Sequence, residues 1–542
     1  MKEHYGIAID IGTSGIRAQA LDLNDLKIIS TAITLRHPLP GANIMDHLHF
    51  SLEVGRETSH VLILDTINRL IEMLDIALGN VDRVAVCGNP IQLSIFQNIE
   101  TTDLAYWGKH ALDRLDITPP SRNATIKTAE EVDLKVNSKA EVYIPPAVKH
   151  EIGADALAMI VKAKILEKKG IYLVSDFGTN AEIALIINGE VYSCSAAAGP
   201  AIEGQEIEKG MLASPGAISD VNLTEDGWKN YVLDETLIAK EGDLIDPSTG
   251  RAMKQGEMHE KSLGITGTGA IAILSLGLKS GLISPPKIKT SNKRICLQDN
   301  IYFTEKDLLE VGKALGAFRA GHISLAEEGG ILLEDIDAVY MAGASGFYVD
   351  PHKSLEVGQI PACSREIYQI GNTSLALARD LVLDPGLLDK LQGIANGMRG
   401  KHIMLATSKI FEKVYPLELS MWEQGMPFWK YNDWLRRYDY QPLPPKDSNP
   451  KIYRLFERDI PVLGKKGLKI IKDIGSVLRT EFEGCTGCET CLNNCPERAL
   501  TMEDSKKIVL KTDLCSGMGC LRCEFSCPEK VFKFKQFLSQ KI

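Results

Sequence analysis

A strand that ends in aspartate and breaks into a glycine turn occurs twice in this chain, at Asp10 and again 166 residues later at Asp176, and this repeat restricts the fold more than any other feature. The first copy is Tyr5-Gly6-Ile7-Ala8-Ile9 running into Asp10-Ile11-Gly12-Thr13-Ser14-Gly15, followed by a strand-like stretch from Ile16 to Leu23. The second is Ile171-Tyr172-Leu173-Val174-Ser175, then Asp176-Phe177-Gly178-Thr179-Asn180-Ala181-Glu182, then apolar Ile183 to Ile187. Each copy predicts a β-hairpin whose turn offers backbone N–H groups to phosphate oxygens, with a threonine hydroxyl beside them. The carboxylate at the strand end is placed to hold hydrated Mg²⁺. A single turn of this kind would carry little weight, because hairpins widely use such residues. Two of them, in successive α/β units, predict a duplicated architecture built around a nucleotide.

Two further glycine sites fit that reading. Gly343-Ala344-Ser345-Gly346-Phe347 follows the apolar strand Ile336 to Ala342, and Gly264-Ile265-Thr266-Gly267-Thr268-Gly269 precedes the helix-like run Ala270 to Leu278. Glycine where strand meets helix lets a phosphate approach the backbone, although a tight turn uses the same residues. The candidate nucleotide contacts are therefore Gly12, Thr13, Ser14, Gly178, Thr179, Asn180, Gly267, Gly343, Ala344 and Ser345, with Asp10 and Asp176 as catalytic carboxylates. Glu203, just after Ala198-Gly199-Pro200, reads as a helix start able to order water or Mg²⁺, and the helix dipole accounts for it equally well. No Gly-x4-Gly-Lys-Ser/Thr loop is present, so an ATPase here is not of the P-loop type.

Eight of the twelve cysteines are confined to residues 485–527. They form two runs, Cys485-x2-Cys488-x2-Cys491-x3-Cys495-Pro496 and Cys515-x4-Cys520-x2-Cys523-x3-Cys527-Pro528. This is the two-cluster bacterial ferredoxin pattern, in which three close thiolates hold one cubane and the fourth of each run crosses to the other. Cys485, Cys488, Cys491 and Cys527 are thus expected to bind one [4Fe–4S] cluster, and Cys515, Cys520, Cys523 and Cys495 its partner. The second run has four residues, Ser516-Gly517-Met518-Gly519, where the pattern has two, and its glycines make the required bulge sterically easy. Zinc knuckles give no reason for the third cysteine or for the terminal Cys-Pro. Disulfides are disfavoured because no secretory signal precedes the chain and Cys87, Cys194, Cys296 and Cys363 are scattered singly.

At 542 residues the chain predicts about three to four domains. No apolar run approaches the roughly 20 residues of a membrane span, so a cytoplasmic location is expected. A net charge of −10 argues against a nucleic-acid surface. The expected division is a first lobe over 1–165, a second over 166–383, an aromatic-rich extension over 384–440, a linker and basic segment over 441–475 and the cysteine-rich domain over 476–542. Within it, Leu52 to Leu78 reads as one helix before a strand Val81 to Cys87, and Thr304 to Ala326 as a hinge helix. Trp422, Phe428, Trp429, Tyr431, Trp434, Tyr438 and Tyr440 read as a packed extension in preference to a cofactor-binding surface. Lys451 to Arg479, with Lys465, Lys466, Lys469 and Lys472, reads as a solvated helix face. His47-Leu48-His49 would need further ligands to be a metal site.

The turns at Asp10 and Asp176 with the glycine site at Gly343 resemble the superfamily of acetate kinase, sugar kinases, Hsp70 and actin. Cys194-Ser195-Ala196-Ala197-Ala198-Gly199-Pro200-Ala201-Ile202-Glu203-Gly204 and Gly210-Met211 are similar to the reductive activators of corrinoid proteins. So are Pro145-Pro146 with Gly153-Ala154-Asp155, the loop at Gly264, and Leu417-Glu418-Leu419-Ser420. With the cysteine runs added, the chain resembles the activators of methylamine metabolism in methanogenic archaea. The resemblance implies an α/β protein with two actin/Hsp70-like (RNase H-like) ATPase lobes and a small α+β two-cluster ferredoxin domain. It also implies ATP, Mg²⁺ and two [4Fe–4S] clusters as cofactors. The implied reaction is ATP-dependent reduction of Co(II) to Co(I) in methylamine corrinoid proteins, fed by a low-potential electron donor. Many such activators carry an N-terminal [2Fe–2S] domain, whereas this chain starts its first phosphate strand at Tyr5, so electrons are expected to enter at the C-terminal clusters. Ala342 stands where the superfamily often has a second glycine, and Thr266 and Thr268 replace the family's usual small or cysteine residues. The competing expectations are an activator of a 2-hydroxyacyl-CoA dehydratase, a small-molecule kinase, and a plain electron carrier with a nucleotide sensor.

Overall fold

The computed structural model describes residues 3–537 except 107–108, 149–151, 179, 197–198, 399, 447–448, 456–457, 464–466 and 505. The chain forms two compact units, one comprising residues 1–157, 374–397 and 466–542, the other 158–373 and 398–465.

The first unit is built on a seven-stranded sheet. Strands β1 (Tyr5–Ile11), β2 (Ile16–Asp22) and β3 (Lys27–Thr34) form an antiparallel meander. β4 (Val81–Gly88) and β6 (Glu141–Ile144) then extend it in parallel, and β5 (Thr125–Thr128) closes one edge. β1 is buried along its whole length, as befits a central strand whose Ile7, Ala8, Ile9 and Ile11 put apolar side chains on both faces. Helix α1 (Ile44–Val54) overlaps only the start of the stretch Leu52 to Leu78 expected to be one helix, and α2 (Arg56–Met73) fills most of the rest. Gly55 separates them, because its φ of +113° cannot continue a right-handed turn.

The second unit repeats the plan. β7 (Ile171–Asp176), β8 (Ala181–Ile187) and β9 (Glu190–Ala196) form the antiparallel meander; strand Ala338–Ala342 pairs with β7 in parallel, and Glu366–Gly371 pairs in parallel with that strand. Inserted after β9 is a separate five-stranded sheet that includes Ala217–Leu223 and ends at Gly264–Ile265. The expected hinge helix is Glu305–Gly329, and it is a core element of this unit, with Leu308, Val311, Leu315 and Phe318 buried.

The observed division cuts across the expected one: the segment 476–542, expected as a domain of its own, is grouped with the first unit, and 398–465 with the second. Residues 374–397 return to the first unit, where Val382 packs on Gly6 and its carbonyl accepts from Arg83 Nη1 at 3.2 Å. The stretch read as linker and basic helix instead supplies edge strands. Lys451–Arg454 pairs in parallel with Glu366–Gly371, and Leu468–Ile471 pairs in parallel with β3. In the aromatic extension, Trp422 and Tyr431 are buried, whereas Phe428 and Trp429 are exposed. Among the described residues no helix is long and apolar enough to cross a membrane.

Candidate functional site

The first turn is tightly determined. Gly12 N donates to Gly15 O at 3.1 Å, and Ile16 N donates to Thr34 Oγ1 at 2.8 Å, so residues 12–15, with Thr13 and Ser14 at the tip, close β1 onto β2. A Cβ on Gly15 would stand 3.0 Å from the Thr34 carbonyl, which makes glycine the fitting residue. Asp10, 9% exposed, ends the core strand with its carboxyl group in a dry setting. Asp155, at the start of helix Ala154–Ala163, is its electrostatic neighbour. Burial, with the Asp10 charge adding, pushes the Asp155 carboxyl up to about 6. Burial and the same two carboxylates hold the Cys87 thiol well above its ordinary value. A buried carboxyl with a second carboxylate beside it suits a hydrated divalent cation. Asp155 is the site residue that spacing did not single out; the signal was its place in Gly153-Ala154-Asp155.

At the second turn Asp176, Gly178, Glu203, Gly267 and Gly343 come together. Gly343 has a φ of +81°, and a Cβ there would fall 2.1 Å from Asp176 Oδ1, so the carboxylate fills the space that the missing side chain leaves. Phe177 N donates to Ala342 O at 3.3 Å, fixing the turn to the neighbouring strand. Glu203 Oε1 lies 3.9 Å from where a Cβ on Gly178 would be. The helix start expected before Glu203 is a single 3₁₀ turn, Pro200–Glu203, too short to carry a useful dipole. Gly267 meets protein backbone, since a Cβ on it would collide with the Ile202 carbonyl at 1.6 Å. Thr266 caps the following helix, its Oγ1 accepting from Gly269 N at 3.0 Å, and Thr268 Oγ1 donates to Ser219 O at 2.8 Å. Asn180 ends the turn, Ala344 and Ser345 lie in helix Gly343–Tyr348, and Thr179 falls outside the described residues.

The cysteines surround two separate cavities. One is lined by Cys485, Cys488, Cys491 and Cys527, with Pro528 and Phe532. The other is lined by Cys495, Cys515, Cys520 and Cys523, with Pro496 and Phe534. Each cavity therefore takes three thiols from one run and one from the other. The scaffold is a three-stranded antiparallel sheet of Val477–Glu481, Lys507–Lys511 and Leu500–Asp504, with short helices Thr490–Asn493 and Arg522–Ser526. The lengthened spacer of the second run contains the three-residue 3₁₀ turn Gly517–Gly519, with Gly517 at φ +72°. Backbone N–H groups point at sulfur: Ala499 N lies 3.3 Å from Cys495 Sγ and Gly517 N 3.4 Å from Cys515 Sγ. Burial pushes Cys491 up to about 11 and Cys515 and Cys523 up to about 12, whereas the Thr490 hydroxyl lowers the exposed Cys488. Four thiols facing one small cavity, with N–H donors on the sulfurs, fit a [4Fe–4S] cluster, whose iron would deprotonate them outright.

His47 and His49 do not share a site. His47 is buried and stacked on His37, ring centroids 4.1 Å apart, while His49 is exposed.

Two family profiles match the chain: the RACo middle region over residues 5–168 and the C-terminal domain of RACo, the ASKHA domain, over 170–432. A "[Co(II) methylated amine-specific corrinoid protein] reductase" of Methanosarcina barkeri is 46% identical over 498 residues, 92% of this chain and 92% of that one. The "Corrinoid activation enzyme RamQ" of Eubacterium limosum is 26% identical, over 76% of this chain and 70% of its own. In fold, the chain is similar to a solved "Reductive activator for corrinoid,iron-sulfur protein", with a TM-score of 0.62 and 24% identity over 77% of this chain and 66% of that one. With both lobes matched and nearly the whole length shared with the first relative, the chain belongs to the RACo family of corrinoid reductive activators.

Proposed function

We propose that this protein reduces the Co(II) form of corrinoid proteins of methylated-amine metabolism to Co(I), at the expense of ATP, in the cytoplasm. The observation that carries this reading is the 46% identity, over 92% of both chains, with a reductase acting on such proteins. Two thiol-lined cavities in a chain that also holds two phosphate-type turns support it. A small-molecule kinase has no use for the cysteine cavities. The dehydratase-activator alternative places its cluster inside the ATPase fold, whereas here the cysteines occupy a segment of their own.

The chemistry is one electron to cobalt, and each 59 mV of unfavourable potential costs a factor of ten, about 1.4 kcal/mol. ATP hydrolysis offsets this only if the nucleotide-bound protein treats the corrinoid partner differently from the free one. Asp10 with Asp155, and Asp176 with Glu203, would hold Mg²⁺ and orient water on their respective units. Gly12, Thr13 and Ser14 would direct backbone and hydroxyl donors at phosphate, as would Gly178, Thr179 and Asn180. Bound to the eight thiolates, two [4Fe–4S] clusters would supply the one-electron relay from a low-potential donor.

The test is anaerobic. Purified protein, a methylamine corrinoid protein in the Co(II) state, ATP, Mg²⁺ and a reductant too weak to act alone are combined, and Co(I) is followed by absorbance. Co(I) should appear only with ATP and the full chain. Formation without ATP at the same rate would sink the reading.

A further inference from the structure

The extra residues in the second cysteine run are where the cysteine segment meets the nucleotide lobe of the first unit. Gly41 N donates to the Cys515 carbonyl at 2.8 Å. A Cβ on Gly517 would stand 3.1 Å from Gly41 Cα and 3.2 Å from Gly41 N. The receiving loop is firmly folded. The Asp46 carboxylate accepts from Ala42 N at 3.0 Å and Asn43 Nδ2 at 2.9 Å, and Asn43 Oδ1 caps Asp46 N at 3.0 Å. Beneath it lie the stacked, buried rings of His37 and His47, with Gln92 Nε2 2.8 Å from His47 Nδ1. Phe50 on α1 meets Phe534 edge-on at 6.2 Å, a second point of attachment.

The other end of this loop touches the phosphate turn. It leaves β3 at Thr34, the residue whose Oγ1 accepts from Ile16 N and whose carbonyl crowds Gly15. From the turn to the cysteine, the path is therefore Gly15, Thr34, the loop to Gly41, and Cys515. At its far end the contact bears on a property that matters for redox. Gly41 fixes the carbonyl of Cys515, hence the peptide plane that leads to Gly517, whose N–H donates to Cys515 Sγ at 3.4 Å. Hydrogen bonds to sulfur are among the determinants of cluster potential.

We propose that residues 35–46 are a coupling loop, through which nucleotide at the Gly12–Gly15 turn shifts the reduction potential of the cluster held by Cys495, Cys515, Cys520 and Cys523 and leaves the other cluster unchanged. The proposal rests on the reading that the chain binds nucleotide and two [4Fe–4S] clusters. Its choice of cluster does not follow from that reading but from the contacts of Gly41, which are with Cys515 and Gly517, and these line the cavity of Cys495, Cys515, Cys520 and Cys523 and not that of Cys485, Cys488, Cys491 and Cys527.

The experiment is an EPR-monitored redox titration of the full chain, purified anaerobically, without nucleotide and with MgATP or MgADP; a Cys488→Ser variant assigns the signals. One midpoint should move with ATP by at least a tenfold change in reduction equilibrium, about 59 mV for one electron. The other should stay. Thr34→Val keeps the shape but removes the acceptor for Ile16 N, and it should lose at least half of the shift while still binding nucleotide in a filtration assay. Gly517→Ala should abolish the shift. Equal movement of both clusters, no movement, or a full shift in both variants would overturn the proposal. Protein lacking iron or nucleotide binding would overturn the underlying reading, and the two failures are told apart by iron analysis and the filtration assay.

Discussion

Gly343 and Asp176 occupy one another's space: the carboxylate sits where a side chain on residue 343 would have to go. Gly343→Ala would therefore both strain the backbone at φ +81° and displace Asp176. ATP turnover should fall at least tenfold, with iron content unchanged. Turnover at the wild-type rate would mean that Asp176 is not part of the hydrolytic centre.

Asp10→Asn, Asp155→Asn and Asp176→Asn each remove a charge proposed to hold Mg²⁺. Each should abolish ATP-dependent Co(I) formation and leave the visible absorbance of the clusters intact, which paired ATPase and iron assays would check.

Arg319 and Glu418 form a buried pair in the second unit, the guanidinium Nε lying 3.0 Å from Glu418 Oε2 and Tyr431 also donating to this carboxylate. Arg319→Met would leave an uncompensated carboxylate that is fully buried, and should destabilise the protein by about 3–5 kcal/mol. The double variant Arg319→Met/Glu418→Leu should recover part of that loss, measured by urea denaturation.

His47 is held down to about 3, mainly by burial, and His37 is also well below its ordinary value. Both stay neutral in the fold, while the unfolded chain takes up protons below about 6.5. Their contribution is complete above that pH and is lost as pH falls toward about 3. His47→Gln should flatten the dependence of the denaturation midpoint on pH between about 6.5 and 5.

Anaerobic protein should contain roughly eight iron atoms per chain, as two cubanes require. Cys495→Ser should alter the EPR signal assigned to Cys515, Cys520 and Cys523, although Cys495 belongs to the first run. A change confined to the other signal would contradict the exchanged ligation.

The duplicated meanders were legible because Ile7–Ile11 and Leu173–Ser175 combine buried, β-prone runs with turn glycines, and such signals are local. The sets of four cysteines were legible from spacing alone. What could not be read was where chain segments return. Nothing local in 374–397 says that Val382 packs on Gly6, and the polar strand Lys451–Arg454 looks like linker because its contribution is backbone pairing and the stacking of Tyr453 on Tyr368, 4.7 Å between centroids. Asp155 escaped for a similar reason, since its significance lies in its nearness to Asp10, far away in sequence.

The exchange of Cys495 and Cys527 between the two cavities has a consequence for damage. Neither run by itself can surround a cavity with four thiols, so a cut anywhere between residues 495 and 515 leaves no fragment with an intact set. Oxidation of a single crossing cysteine likewise spoils the cavity of the opposite run. A cut in that stretch therefore costs both cavities at once, whereas oxidation of one crossing cysteine costs one cavity and leaves the four thiols of the other in place.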